Sequence, residues 1–154
     1  MIALLAHIKE NPMAKFGVFT RNYRQHISAS GTGGVFRSSV RWARPARALD
    51  KGQEIDVYIA PVDGNGEVEF RAKLKKVKLD PKEHDPEVKE MLQKAPSTTE
   101  KEGLWEGNVA TLYELAEIIE INPSFHFTEL KKLDGGENIN PEYSRAYCIV
   151  RAID

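Results

Sequence analysis

A single cysteine, Cys148, leaves the chain without any internal disulfide and points to a reducing, cytoplasmic setting. Lying in an expected buried strand, it reads as a small core residue, and no serine occupies a Gly-x-Ser-x-Gly elbow, so nucleophilic catalysis has little to build on. The histidines, His7, His26, His84 and His126, are scattered singly, which argues against a metal site. No apolar run approaches the roughly 20 residues of a membrane span, and Met1 to Ile8 is also too short for a signal peptide. Gly31-Thr32-Gly33-Gly34 lacks the lysine-serine ending of a nucleotide-triphosphate loop, so no cofactor is expected. Glu114, Glu117 and Glu120 recur at a spacing of three, as on a solvated face, and make a weak case for paired catalytic carboxylates.

The most informative absence lies between Arg21 and Arg47. That stretch has no lysine, aspartate or glutamate, yet it holds six arginines (Arg21, Arg24, Arg37, Arg41, Arg44 and Arg47) interleaved with Tyr23, Phe36 and Trp42. Arginine's planar fork binds phosphate in a bidentate way and stacks on bases, so an arginine-only basic stretch with aromatics points to nucleic acid. The formal net charge of -1 conceals a split, because residues 1–49 carry eight Lys/Arg against Glu10 alone. A basic surface on an acidic body is the expected consequence.

The 154 residues suit one domain with its own core. Short strands are expected over residues 2–8 and Phe16–Thr20, followed by a polar, mobile loop from Asn22 to Gly34. Ile55, Val57 and Ile59 alternate with Glu54, Asp56 and Tyr58, the pattern of a half-buried strand that ends at Pro61. Asp63-Gly64-Asn65-Gly66 then reads as a tight hairpin turn. In the return strand Val68, Phe70, Ala72 and Leu74 share one parity and Val77 and Leu79 the other, so a bulge or bend is expected near Lys75-Lys76. Asp85-Pro86 opens a short amphipathic helix over Glu87–Lys94. Residues 95–108 form a polar loop carrying Trp105.

Residues 110–121 fit a helix and a strand alike, with β-branched residues and the Asn122-Pro123 stop favouring the strand. Phe127 to Leu133 reads as a helical turn or two, ended by Gly135-Gly136. Tyr143 to Ile153, apolar on much of both faces, is expected as a central last strand. Five to six strands with short helices between them describe an α+β domain built on a small, partly closed barrel.

The stretch Val40-Arg41-Trp42, through Ala48-Leu49-Asp50-Lys51-Gly52-Gln53 to Val57-Tyr58-Ile59, resembles the centre of the PUA-like superfamily, in its EVE, YTH and ASCH branches. The hairpin and long bent strand at Asp63 to Leu79, a strand at Thr111 to Ile121, a Leu-x-x-Leu segment at Leu130 to Leu133 and a final strand follow in similar order. Gln53 and Glu54 depart from the family's usual turn aspartate. The resemblance covers residues 35–153 and implies that the single domain of residues 1–154 is a pseudo-barrel that binds RNA or DNA and encloses a modified, flipped base in an aromatic pocket. It implies Trp42 as a pocket wall with Tyr58 beside it.

Loop placement adds Phe36, Ser38, Ser39 and Trp105 to that pocket, while the six arginines are the candidates for phosphate contact. The leading expectation is a non-catalytic reader, which by resemblance includes the target-reading module of a modification-dependent restriction system, attached to or associated with an effector domain. Two rivals stand beside it: a small ASCH-type hydrolase of modified nucleosides or amides, with Lys51 and Glu54 as the pair to watch, and a protein-interaction module.

Overall fold

Alternating apolar side chains and well-placed turns divide the described residues, 15–95, 109–143 and 145–153 of a computed structural model, into six strands and three short helices. They are β1 (Phe16–Asn22), α1 (Arg24–Ala29), β2 (Gly34–Ser38), α2 (Ala43–Asp50), β3 (Ile55–Pro61), β4 (Glu67–Leu79), α3 (Pro86–Leu92), β5 (Thr111–His126) and β6 (Tyr147–Arg151). A 3-10 turn, Phe127–Glu129, follows β5. The strand expected over residues 2–8 and the loop with Trp105 lie outside the described residues.

The strands form one mixed sheet in the order β2-β5-β4-β3-β1-β6, in which only β1 and β3 run parallel. The two ends of this order do not pair with each other, so the described sheet is open where a partly closed barrel was expected. It coils nonetheless. The β4–β5 ladder shifts register between Leu74 and Lys76, at the expected bulge, and again between Arg71 and Lys73 and between Val68 and Phe70. At the second shift Glu117 takes φ 53°, and the extra residue returns Ile118 to the face of Tyr113 and Leu115.

Burial on both faces explains how β3 departs from a half-buried strand. Every residue of Ile55–Pro61 is buried. Ile55, Val57 and Ile59 join the main core with Phe16, Val18, Phe36 and Trp42, whereas Tyr58 and Ala60 face a second core with Phe19, Phe127, Leu130 and Val150. A third, smaller cluster seats Val88 and Met91 of α3 on Val35 and Leu112. The Asp85 carboxylate caps that helix by accepting from the Glu87 N–H at 2.9 Å, and Pro86 starts it, as the sequence predicted.

Three further expectations change. Asn22 to Gly34 is not a free loop: Arg24–Ala29 is helical with His26 and Ile27 buried, and Thr32 accepts a backbone bond from Ile118 at 3.0 Å. A Cβ on Gly33 would stand 2.8 Å from the Leu115 carbonyl, so only glycine lets the chain pass this close to β5. Among the described strands the last one lies at the sheet edge rather than at its centre. It is apolar on both faces because it spans both cores, and its outer edge is covered by Lys131–Leu133 through bonds of 2.9 and 3.1 Å. Finally, β5 runs through Asn122-Pro123 to His126. Pro123 falls in the register gap between Glu120 and Phe125, beyond Leu115 where β2 ends, so it owes the ladder no N–H.

Candidate nucleic-acid interface

The turn between β2 and α2 sets the site. The Thr111 hydroxyl accepts from the Trp42 backbone N–H at 3.0 Å and donates to the Val40 carbonyl at 2.8 Å, while the Ser38 hydroxyl accepts from the Val40 N–H at 3.1 Å. This clamp turns the Trp42 side chain inward, where it is 0% exposed. Its ring stacks on Tyr113 (centroids 4.1 Å, planes 16° apart) and leans on Tyr147 at 5.2 Å. Phe36 continues the row beyond Tyr113 at 5.8 Å. The result is a row of four rings, Phe36, Tyr113, Trp42 and Tyr147, with half-buried Tyr147 at its open end.

The row carries one polar irregularity. The Trp42 indole N–H is buried with no acceptor among the described residues. A buried donor left without a partner costs about 1–3 kcal/mol, so an acceptor that reached the indole N–H would be favoured there. The Tyr113 hydroxyl is met by the Asn22 amide at 3.2 Å, which ties the row to the end of β1. Burial pushes the Tyr147 hydroxyl pKa up, so that ring stays neutral.

Not all expected pocket residues meet. Phe36 and Trp42 belong to the same row, and Ser38 and exposed Ser39 lie on the turn that leads to Trp42. Tyr58 does not. Strand parity points it to the opposite core, where its ring closes over Gly17 (a Cβ there would stand 2.6 Å away) and its hydroxyl accepts from the Ile153 N–H at 2.8 Å. Trp105 lies outside the described residues. Tyr113 and Tyr147 were missed by sequence reasoning; their positions in strands were legible, but their meeting across the main core depends on which strands become neighbours.

The arginines divide into two groups. Arg21 donates to the Tyr143 and Arg145 carbonyls at 3.1 and 3.2 Å and lies over Phe19 and Phe127. Arg24 grips Glu69 with both terminal nitrogens and has Asp63 at 3.7 Å. Arg41, Arg44 and Arg47, spaced by three, line the exposed face of the α2 segment, with Trp42, Pro45 and Ala48 on its buried face. Charge and rings therefore share an element but occupy opposite sides of it. Arg41 pairs with Asp80 at 3.2 Å and Arg44 with Asp134 at 3.1 Å, both surface pairs. Arg37 is half-buried in β2.

A second charged cluster lies on β3 and β4. Fully buried Asp56 receives Lys15 at 2.9 Å, Arg71 at 2.5 Å and Lys73 at 2.7 Å. Burial alone raises its pKa, but hydrogen bonds from Lys73, Arg71 and Lys15 overcome this and hold the carboxyl at about 2. Lys51 and Glu54, the pair to watch for hydrolysis, are both exposed and form no ion pair with each other. Among the described residues no group of His, Cys, Asp or Glu is placed to hold a metal, and no helix is long and apolar enough to cross a membrane.

The open mixed sheet with its short helices defines a small α+β domain. Among solved structures, the chain is similar to the YTH domain of the MRB1 protein of Zygosaccharomyces rouxii, determined in complex with N6-methyladenosine RNA. The match has a TM-score of 0.52 at 11% identity and covers 90% of this chain and 80% of that one. No protein-family model matches the chain, and comparison with curated proteins finds no match either.

Proposed function

We propose that the protein binds single-stranded RNA and reads one modified base without catalysing a reaction. The observation that carries this reading is the row Phe36–Tyr113–Trp42–Tyr147, with its buried indole N–H lacking an acceptor, in a fold similar to a domain solved with methylated RNA. A base extruded from its strand is held by stacking on such rings and by hydrogen bonds to its edge. The row is packed shut, so a base enters by displacing Tyr147, the half-buried end, and its edge then takes the Trp42 N–H. Arg41, Arg44 and Arg47 supply the phosphate contacts at the surface of the same element.

N6-methyladenosine is the first base to test, since the neighbouring structure contains it. Fluorescence-anisotropy titrations with single-stranded RNA, methylated and unmethylated, and with the matching DNA are expected to show tightest binding to methylated RNA. Trp42→Phe keeps the stack but removes the N–H, and is expected to lower the preference for the modified base. Absence of binding to every strand at low salt overturns the proposal.

A further inference from the structure

Beside the aromatic row, on the other side of Asn22, lies a groove of about 380 Å³ lined by Tyr23, Arg24, Gln25, Ser28, Val62 and Asp63. Its size falls at the lower end of the roughly 300–1,000 Å³ of small-ligand sites, and suits a nucleoside better than a folded partner. Tyr23 and Val62 are, among the described residues, two of the few large apolar side chains left in solvent, at 57% and 55% exposed, and both open onto this groove. The Tyr23 ring is steadied by His26, which meets it edge-on at 5.4 Å, so one aromatic face stands preformed at the surface.

The charge in the groove decides what part of a nucleotide it takes. Arg24 is already held by Glu69 (Nη2 to Oε2 2.9 Å) and by Asp63, so its positive charge is spent within the protein. With Glu69 behind the groove and Asp63 on its lining, the guanidinium is outweighed by negative charge, which disfavours a phosphate, while the exposed Asp63 carboxylate can accept from an amino group, as carboxylates do on a cytosine edge. Gln25 and Ser28, both exposed, add groups that donate or accept. Asn22 joins this groove to the row, since its side-chain amide donates to the Tyr113 hydroxyl and its backbone carbonyl accepts from the Val62 N–H at 3.0 Å.

We infer that the groove holds the base of a nucleotide flanking the one read by the aromatic row, stacked on Tyr23 with an amino-bearing edge toward Asp63. The inference rests on the RNA-reading proposal above. Stacking of one base on an aromatic is lost with its ring and is insensitive to salt, unlike a phosphate contact.

The test compares a five-nucleotide RNA carrying a central N6-methyladenosine with the N6-methyladenosine nucleoside alone, on wild type, Tyr23→Ala, Tyr23→Phe and Asp63→Asn. Tyr23→Ala is expected to lose about tenfold in affinity for the pentanucleotide, with an unchanged salt slope and unchanged nucleoside binding, and Tyr23→Phe to retain it. Uracil at the flanking positions, which lacks an amino group, is expected to weaken wild type but not Asp63→Asn. Equal pentanucleotide binding by wild type and Tyr23→Ala overturns the inference while leaving the RNA reading intact. An equal loss on nucleoside and pentanucleotide also overturns it, by placing Tyr23 in the reading pocket. A wild type that binds neither probe overturns the RNA reading, and this subsite with it.

Discussion

A single buried carboxylate, Asp56, shows how much one residue contributes to this fold. Lys15 precedes β1, Asp56 lies on β3, and Arg71 and Lys73 lie on β4, so the ion pairs bind three neighbouring segments of the sheet. The carboxyl pKa of about 2, against 3.8 unperturbed, makes the contribution pH-dependent. Because the folded value lies below the unfolded one, the stabilisation is complete above about pH 5 and is lost as the pH falls toward about 2. A shift of this size corresponds to about 2 kcal/mol. Asp56→Asn is therefore expected to cost about 2–3 kcal/mol at neutral pH, at the low end for a broken buried pair because the three cations are partly exposed and rehydrate. Urea denaturation checks this: the gap between variant and wild type should close at about pH 2, where the wild-type carboxylate also protonates. A gap unchanged with pH would assign the loss to packing rather than charge.

At the scale of elements, the bends of β4 and β5 shape the sheet, and Glu117 is the residue through which one of them passes. A side chain at φ 53° costs about 1–2 kcal/mol for most residues and more for a β-branched one, whose second γ atom crowds the backbone. Glu117→Val is expected to destabilise by about 1–2 kcal/mol, whereas Glu120→Val, also exposed on β5 but free of the positive φ, should change little. Equal melting temperatures for the two variants would show that the backbone there relaxes. The bulge near Lys75 was legible because an apolar phase must slip when a residue is inserted, and the Asp63–Gly66 turn because asparagine and glycine announce positive φ. Helix α1 was not legible, since six residues with only His26 and Ile27 buried show no periodicity. Nor was the edge position of β6: its apolar faces record burial, and burial does not say which neighbours supply it. The same limit hid Tyr113 and Tyr147 from the candidate site and let Tyr58 into it, because parity within a strand is written in the sequence but the assignment of each parity to a core is not.

For the whole molecule the question is whether the arginines of the α2 segment meet a polyanion or only solvent. Arg41 and Arg44 are held by Asp80 and Asp134, whose side chains are 57% and 85% exposed. Surface pairs of this kind contribute about 0–1 kcal/mol, so exchanging them for phosphate costs little. Arg47 has no ion-pair partner among the described residues. Each phosphate neutralised on a single strand releases counterions and adds about 0.7 to the slope of log affinity against log salt. Replacing Arg41, Arg44 and Arg47 together by alanine is therefore expected to make that slope shallower by about 2 and to weaken binding most at low salt. The row around Trp42, on the other face of the segment, should keep its preference between modified and unmodified base through this change. Anisotropy titrations across a salt series measure both quantities on one set of samples. An unchanged slope in the triple variant would make these arginines a solvated surface and move the phosphate path elsewhere on the protein.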